Sequence, residues 1–415
     1  MLSKTHHKDG DIFSEARKSG LDVRYATISD GFPLEFDRVV YLLEYWDSMM
    51  KDLPARIDEF VGNIIRSDPD LVHFLVVDTL YSWASTIAQK HNLVNVSVWT
   101  EPAVVFSLAY HSELLRENGH FPCKGSHMNN DIEEEISYIP GIESINTKDF
   151  MPYLKESEVA TISYKLVLSA FKEANKTDFI LHNTVQELES EYLPTNTVSS
   201  SLLSESDCSQ WLDSKSPGSV LYISFGSLVQ TNKQVIEEIA NGLLLSEVEF
   251  VWAIRAGLLG PTETNVLPTG FEDVIKDKGL IIPWCDQTKV LSNPAVGGFL
   301  SHCGWNSILE SIWCGVPMIC YPVTYDQPTN RKLVVDDWMV GINLCDGKSV
   351  DRNEVAEKIK RLMNRTTSQK LRQNVVNVSA NLHNAVEIDG SSEINFDRFI
   401  EDLKGRVYGE STSEF

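Results

Sequence analysis

"GGFLSHCGWNSILES", Gly297 to Ser311, carries an apolar run into a helix-like stretch through a histidine, a cysteine and a glycine. Val296–Ser301 has the length and composition of a buried strand. Asn306 and Ser307 suit the first turn of a helix, Ile308, Leu309 and Ile312 recur at helical spacing, and Gly315 suits its stop. A strand that enters a helix through such a turn leaves backbone N–H groups unpaired at the helix start. Those groups and the helix dipole favour an anion, commonly a phosphate. His302 at the carboxyl end of the strand can add a donor. Glu310, one turn into the helix, can accept from two adjacent hydroxyls, as on a ribose. Taken alone, the corner is equally compatible with a purely structural turn.

The flanks extend the pattern. "VLYISFGSL" (Val220–Leu228), "EFVWAIR", "GLIIPW" and "VPMICYPV" read as further short strands, mostly separated by helical spacing such as Val235, Ile236, Ile239, Ala240 and Leu243. Alternation of this kind predicts a parallel sheet covered on both faces. Trp284-Cys285-Asp286-Gln287 ends one strand and Asp326-Gln327 follows another, so three strand ends converge on a crevice of the sort where open parallel sheets bind ligands. In the first half, Val23–Ile28, Phe74–Val77, Val96–Trp99 and Phe179–Leu181 read as strands, and Ile57–Ile65 and Ala84–Gln89 as helices. "PTNTVSSSLLSES" (Pro194–Ser206) is polar and Ser-rich, a linker between halves. The division predicted is residues 1–193, linker 194–217, residues 218–385, and a C-terminal helix and tail 386–415 with a frayed end from Gly405.

The chain has 415 residues and a formal net charge of −23. Two domains are expected at this length. The charge speaks against nucleic-acid binding, which needs clustered Lys and Arg. No apolar run reaches the ~18 residues of a membrane span. Seven cysteines without a CxxC pair predict free thiols in a reducing cytoplasm. Asp9-Gly10-Asp11 and Asp68-Pro69-Asp70 match an Asp-x-Asp metal pattern on paper, but their turn-like settings make a metal role the weaker reading.

Trp284 to Gln327, "WCDQTKVLSNPAVGGFLSHCGWNSILESIWCGVPMICYPVTYDQ", resembles the signature box of plant secondary-metabolite UDP-glycosyltransferases of glycosyltransferase family 1, most like the 86A-type members. "SPGSVLYISFGS", "FVWAIR", "HNTVQELE", "YIPGI" and "DGSS" resemble that family too. The resemblance implies an α/β GT-B fold: two Rossmann-like, doubly wound parallel-sheet domains facing across a cleft. The N-terminal domain would be the acceptor side and residues 218–385 the UDP-sugar side. Trp284 would stack on uracil, with Cys285 beside it, and Gln287 would sit at the ribose whose hydroxyls Glu310 holds. Ser227, His302, Gly304, Trp305, Asn306 and Ser307 would line the pyrophosphate end. Asp326 and Gln327 would bind the sugar, with Thr100 as a further sugar contact. Cys285-Asp286 departs from the family's more common Ala-Pro. The implied reaction is inverting transfer from UDP-glucose, as co-substrate, to a small hydroxylated metabolite such as a flavonol. Neither metal nor other cofactor is expected, and the chain is expected to act as a monomer.

In this family a histidine takes the proton of the acceptor hydroxyl and an aspartate orients it. "FLVVDTLYSWASTIA" places Asp78 as that aspartate; its structural alternative is a cap on the helix near Trp83–Ala88. The family's histidine stands in a Gly-His turn after its first strand. That strand, the following helix and the second strand have no counterpart before Val23, and His6 and His7 do not match the position. Two readings follow: an active glucosyltransferase, or a UDP-sugar-binding protein impaired in catalysis because the base segment is missing.

Overall fold

In the computed structural model, residues 17–24, 26–38, 40–121, 133–155, 162–189, 208–227, 229–255, 257–260, 266–276, 278–347 and 349–408 are described. His6, His7 and Asp9-Gly10-Asp11 lie outside them.

The strands in chain order are β1 (Phe74–Asp78), β2 (Val94–Trp99), β3 (Glu135–Ile136), β4 (Ile145–Asn146), β5 (Phe179–His182), β6 (Val220–Ser224), β7 (Glu249–Ala253), β8 (Gly279–Ile282), β9 (Val296–Ser301), β10 (Met318–Cys320) and β11 (Gly341–Asn343). They form a parallel three-stranded sheet, order β1-β2-β5, a parallel six-stranded sheet, order β11-β10-β9-β6-β7-β8, and a short antiparallel β3–β4 pair. β6 and β9, at the centre of the larger sheet, are buried at every residue. That is the signature of strands covered by helices on both faces, and it accounts for their unbroken apolar runs. β11 was not legible in advance, since three residues carry no period.

Register aligns the business end. Ser224 pairs with Ala253 and Ser301, Ser301 with Cys320, and Ala253 with Ile282. The segments that follow those strands therefore emerge along one rim, where parallel sheets place ligands.

The expected strand Val23–Ile28 does not form. Its described residues are irregular and mostly exposed, with the Arg17 guanidinium donating to the Val23 carbonyl at 2.7 Å. β-branched residues favour a strand only where a ladder partner accepts them. Among the described residues none pairs with this segment, and the outer edge of the small sheet is β1, whose Phe74 and Val76 remain 46% and 50% exposed. The expected linker, 194–217, contains a helix at its far end. Ser209–Asp213 is a helix whose Leu212 is buried in the core, while 190–207 lie outside the described residues. The C-terminal helix runs from Ser391 to Tyr408, past the expected fraying point at Gly405, because Phe399 and Leu403 seat against Val96 of β2.

The halves are joined by polar contacts as well. Arg331 pairs with Asp149 at 2.5 Å, both largely buried. The Thr329 hydroxyl donates to the Asp149 carbonyl, and the Trp305 and Trp338 indoles to the carbonyls of Asn183 and Leu188. Among the described residues, no helix is long and apolar enough to cross a membrane.

Candidate functional site

The turn after β9 is built by two glycines. Cys303 takes a left-handed conformation, φ 66°, which turns the chain into the helix Trp305–Trp313 with Gly304 as its N-cap. No side chain caps that end, so its first-turn N–H groups are open to a ligand. Opposite lies Gly226, in the turn after β6, φ 67°. A Cβ on either Gly226 or Gly304 would stand 2.5 Å from His302 Nε2. Both positions are therefore bare because the imidazole tip lies between them. Burial lowers the pKa of His302 to about 4, so the ring is neutral near pH 7.

A cavity of ≈ 640 Å³ opens over this turn. Ser227, Trp284, Cys285, Gln287, His302, Gly304, Trp305, Asn306, Ser307 and Glu310 all line it. Inside it the Gln287 amide donates to Glu310 Oε2 at 2.6 Å and to Ser307 Oγ at 2.8 Å, while the Tyr222 hydroxyl donates to Gln287 Oε1 at 3.2 Å. Glu310 is thus held at its inner end, and burial raises its pKa. Cys285 is buried, its sulfur 3.4 Å from the Tyr222 hydroxyl. Asp286 caps the helix Gln287–Leu291 by accepting from the Lys289 N–H. The Cys-Asp pair thus keeps the helix start that follows Trp284. Trp305 and Asn306 also face the other half: the indole donates to the Asn183 carbonyl, and the Asn183 amide donates to Asn306 Oδ1 at 3.1 Å.

A second cavity of ≈ 340 Å³ adjoins the first, sharing Ser227, His302 and Gly304 as a common wall. Asp78, Thr100, Asp326 and Gln327 line it, with the aromatic and thioether side chains of Tyr45, Trp46, Met49, Met50, Tyr81 and Trp83. Gln327 Oε1 accepts from the N–H groups of Val323 and Thr324, both at 2.9 Å. Its amide is thereby oriented and keeps only its NH₂ for a ligand. Asp326 Oδ2 accepts from the Asn330 amide at 2.5 Å, and burial pushes its pKa up to about 6.

Asp78 ends β1 at the cavity wall. It does not cap the helix Ala84–His91, whose N-cap is Trp83; its Oδ1 accepts from the Leu80 N–H at 2.9 Å instead. Burial raises its pKa. Asp68 and Asp70 sit exposed in the turn before β1 and line neither cavity. Sequence reasoning missed Glu101, which also lines the second cavity, and Asn183, Tyr222 and Asn330, which hold the lining side chains. The signal for Glu101 was its place directly after Thr100 at the carboxyl end of β2.

Residues 196–388 match the family described as "UDP-glucoronosyl and UDP-glucosyl transferase". The chain is 47% identical over 429 aligned residues to UDP-glycosyltransferase 86A1 of Arabidopsis thaliana, covering 98% of this chain and 86% of that protein. Among solved structures it is similar to UDP-glucose: anthocyanidin 3-O-glucosyltransferase in complex with UDP, TM-score 0.80 and 25% identity over 92% of this chain and 86% of that one. It is also similar to Phytolacca americana UGT2 complexed with UDP-2fluoro-glucose and pterostilbene, TM-score 0.74 and 27% identity over 89% and 84%. The fold shared with these structures is the GT-B type, two Rossmann-like domains facing across a cleft.

Proposed function

The chain belongs to the plant UDP-glycosyltransferases of glycosyltransferase family 1, and from that premise we propose that it transfers glucose from UDP-glucose, with inversion, to a hydroxyl of a small metabolite. One observation carries the proposal. The ≈ 640 Å³ and ≈ 340 Å³ cavities meet at Ser227, His302 and Gly304, so a ligand phosphate at the helix start sits between a nucleotide-sized space and a second substrate's space.

In this reading uracil stacks on Trp284 and the ribose hydroxyls reach Glu310 and Gln287. The pyrophosphate takes the open N–H groups of helix Trp305–Trp313, with His302, Asn306, Ser307 and Ser227 around it. The sugar lies against Thr100, Asp326 and Gln327, and the Gln327 NH₂ donates to a sugar hydroxyl. The acceptor oxygen attacks the anomeric carbon as the bond to UDP breaks, its proton is released to water, and the leaving phosphate takes the electron pair. The helix N-terminus and neutral His302 stabilise that growing charge, so no metal or other cofactor is required in the proposal. The acceptor lies among Tyr45, Trp46, Met49, Tyr81 and Trp83, a lining suited to an aromatic such as a flavonol. None of the six described cysteines forms a disulfide, which fits a cytoplasmic enzyme of secondary metabolism, and one chain lines both cavities, so a monomer suffices.

A second reading, UDP-sugar binding without efficient turnover, is favoured by one observation: among the described residues, no imidazole stands beside Asp78 to take the acceptor's proton. Calorimetry with UDP and product analysis with UDP-glucose and a panel of phenols and alcohols test both. Glucoside formation supports the first reading and UDP binding without product the second. A folded protein that binds no UDP overturns both.

A further inference from the structure

The mechanism leaves one group of the second cavity unused. Glu101 stands between Thr100 and Pro102, where β2 gives way to the helix Ala103–Tyr110. Its carboxyl is half-buried at the cavity wall and makes no hydrogen bond or ion pair among the described residues. A carboxyl kept from bulk water without a partner is open to whatever the cavity holds.

Its neighbours are acidic. Burial, then the carboxylates of Asp326 and Asp78, push its pKa well above the usual range. Tyr153, from helix Pro152–Lys155, lies in the same field, and its hydroxyl is raised by burial with Glu101 and Asp326 next to it. Gln327 adds an uncharged amide and His302 a neutral ring. Arg331 is engaged with Asp149 and Asp336, and Arg255, whose charge acts on His302, donates to the carbonyls of Gly226 and Val229. Two carboxyls kept from bulk water that feel each other do not both ionise readily, so burial and mutual repulsion favour a proton shared between Glu101 and Asp326. Such a pair offers one O–H donor and several acceptors. Vicinal hydroxyls, which both donate and accept, match it. A carboxylate does not, because it meets like charge, and among the described residues no Lys or Arg lines the cavity.

We propose that Glu101 is a specificity-determining residue of the transfer site, and that with Asp326 it faces the donor's sugar and selects an uncharged hexose over a uronic acid. The proposal rests on the reading that the chain binds UDP-sugars. It adds to Thr100, Asp326 and Gln327 a fourth side chain, which acts through charge as well as hydrogen bonding.

The test measures affinity for UDP-glucose, UDP-glucuronate and UDP between pH 5 and 8 for the wild type, Glu101→Gln and Glu101→Ala. The wild type should prefer UDP-glucose over UDP-glucuronate by about 100-fold at pH 8, and the preference should shrink toward pH 5 as the pair gains a proton. Glu101→Gln keeps the size and hydrogen bonding while removing the charge. It should narrow the preference about tenfold, chiefly through tighter UDP-glucuronate binding, and flatten its pH dependence. Glu101→Ala should narrow the preference too while weakening UDP-glucose. Glu101 does not line the nucleotide cavity, so UDP affinity reports whether each variant is folded. A wild-type preference that is constant across this pH range overturns the proposal even if neither variant folds. So does a Glu101→Gln protein that binds UDP and keeps the wild-type ratio at every pH. Failure of the wild type to bind UDP at all is a different result, which overturns the parent reading and this one with it.

Discussion

Replacing Gly304 by alanine isolates the steric demand of the His302 ring. The backbone at 304, φ −65°, accepts alanine without strain. The new Cβ would stand 2.5 Å from His302 Nε2, which is 3.4 − 2.5 = 0.9 Å inside the nearest ordinary contact. The ring is hemmed on its other side by Gly226, where a Cβ would meet the same atom at 2.5 Å, so it has little room to yield. Overpacking of this kind costs about 1–3 kcal/mol. At roughly 2–4 °C of Tm per kcal/mol for a domain of this size, the shift should be several degrees. A displaced ring also misplaces a phosphate donor, and UDP affinity should fall by about 10–30-fold, the loss of roughly one hydrogen bond to a charged group. The N-cap change itself adds roughly 0.5–1 kcal/mol, common to both backgrounds carrying alanine at 304. His302→Ala alone should weaken UDP by a similar ~1–3 kcal/mol. The decisive variant combines the two. With the ring gone, the methyl at 304 fills vacated space, so the double variant should regain most of the stability lost in G304A and bind UDP no worse than H302A. Urea denaturation and calorimetry over the full cycle give the coupling energy, expected at about 1–3 kcal/mol. Strictly additive single losses would show that the two residues do not contest one space, and the construction of the turn given above would be wrong.

Gln327→Glu keeps the acceptor oxygen for Val323 and Thr324 but loses the NH₂; UDP affinity should persist while the extra affinity contributed by the glucose falls about tenfold, and an undiminished glucose contribution by calorimetry contradicts the role. Arg331→Ala strands the buried Asp149 carboxylate and should cost about 3–5 kcal/mol in urea denaturation; a loss below about 1 kcal/mol means the pair is solvated in solution. Buried His182 and His302 titrate near 4 in the fold against 6.5 when unfolded. Below pH 6.5 the unfolded chain binds protons that the fold does not, so these histidines remove stability as pH falls, on the order of 3 kcal/mol each by pH 4. Glu189, raised to about 7, acts oppositely: the fold holds its proton more tightly, so its contribution is present below pH 4.5 and is lost as pH rises through 7. The measurement is therefore the difference between wild type and His182→Phe, which should close the acid loss from that site; superimposable pH–stability curves would refute it.

What could be read in the sequence followed from which signals are local. β6 and β9 announce themselves because a strand covered on both faces is apolar throughout, and the corner at His302 follows from a strand end, a glycine and a helix start within a few residues. The roles of Asp326 and Gln327 were legible only through the resemblance, while the two backbone N–H groups that fix the Gln327 amide come from a turn no pattern specifies. Val23–Ile28 was misread because β-branched composition says nothing of whether a neighbouring strand exists to receive it. Ser209–Asp213 was lost in a Ser-rich stretch, since a single helical turn anchored by Leu212 is too short for a period. Glu101 was passed over for a different reason. A lone carboxylate beside a proline is ordinarily a solvated loop residue, and only the approach of Asp326 from the other half of the chain makes it unusual.

The seat of the helix Ser391–Tyr408 on β2 ties the molecule together twice. The polypeptide crosses once ahead of Ser209 and again where Phe399 and Leu403 reach Val96, with Arg406 bonded to Asp178 at 2.8 Å. Beside the polar contacts of Thr329, Arg331, Trp305 and Trp338, this seat gives the halves a further place of attachment, made by the end of the chain. A fragment beginning near Ser214 would keep the nucleotide cavity but carry a helix whose apolar face has lost its seat. Shortening the chain at its far end would in turn loosen the half that comes first.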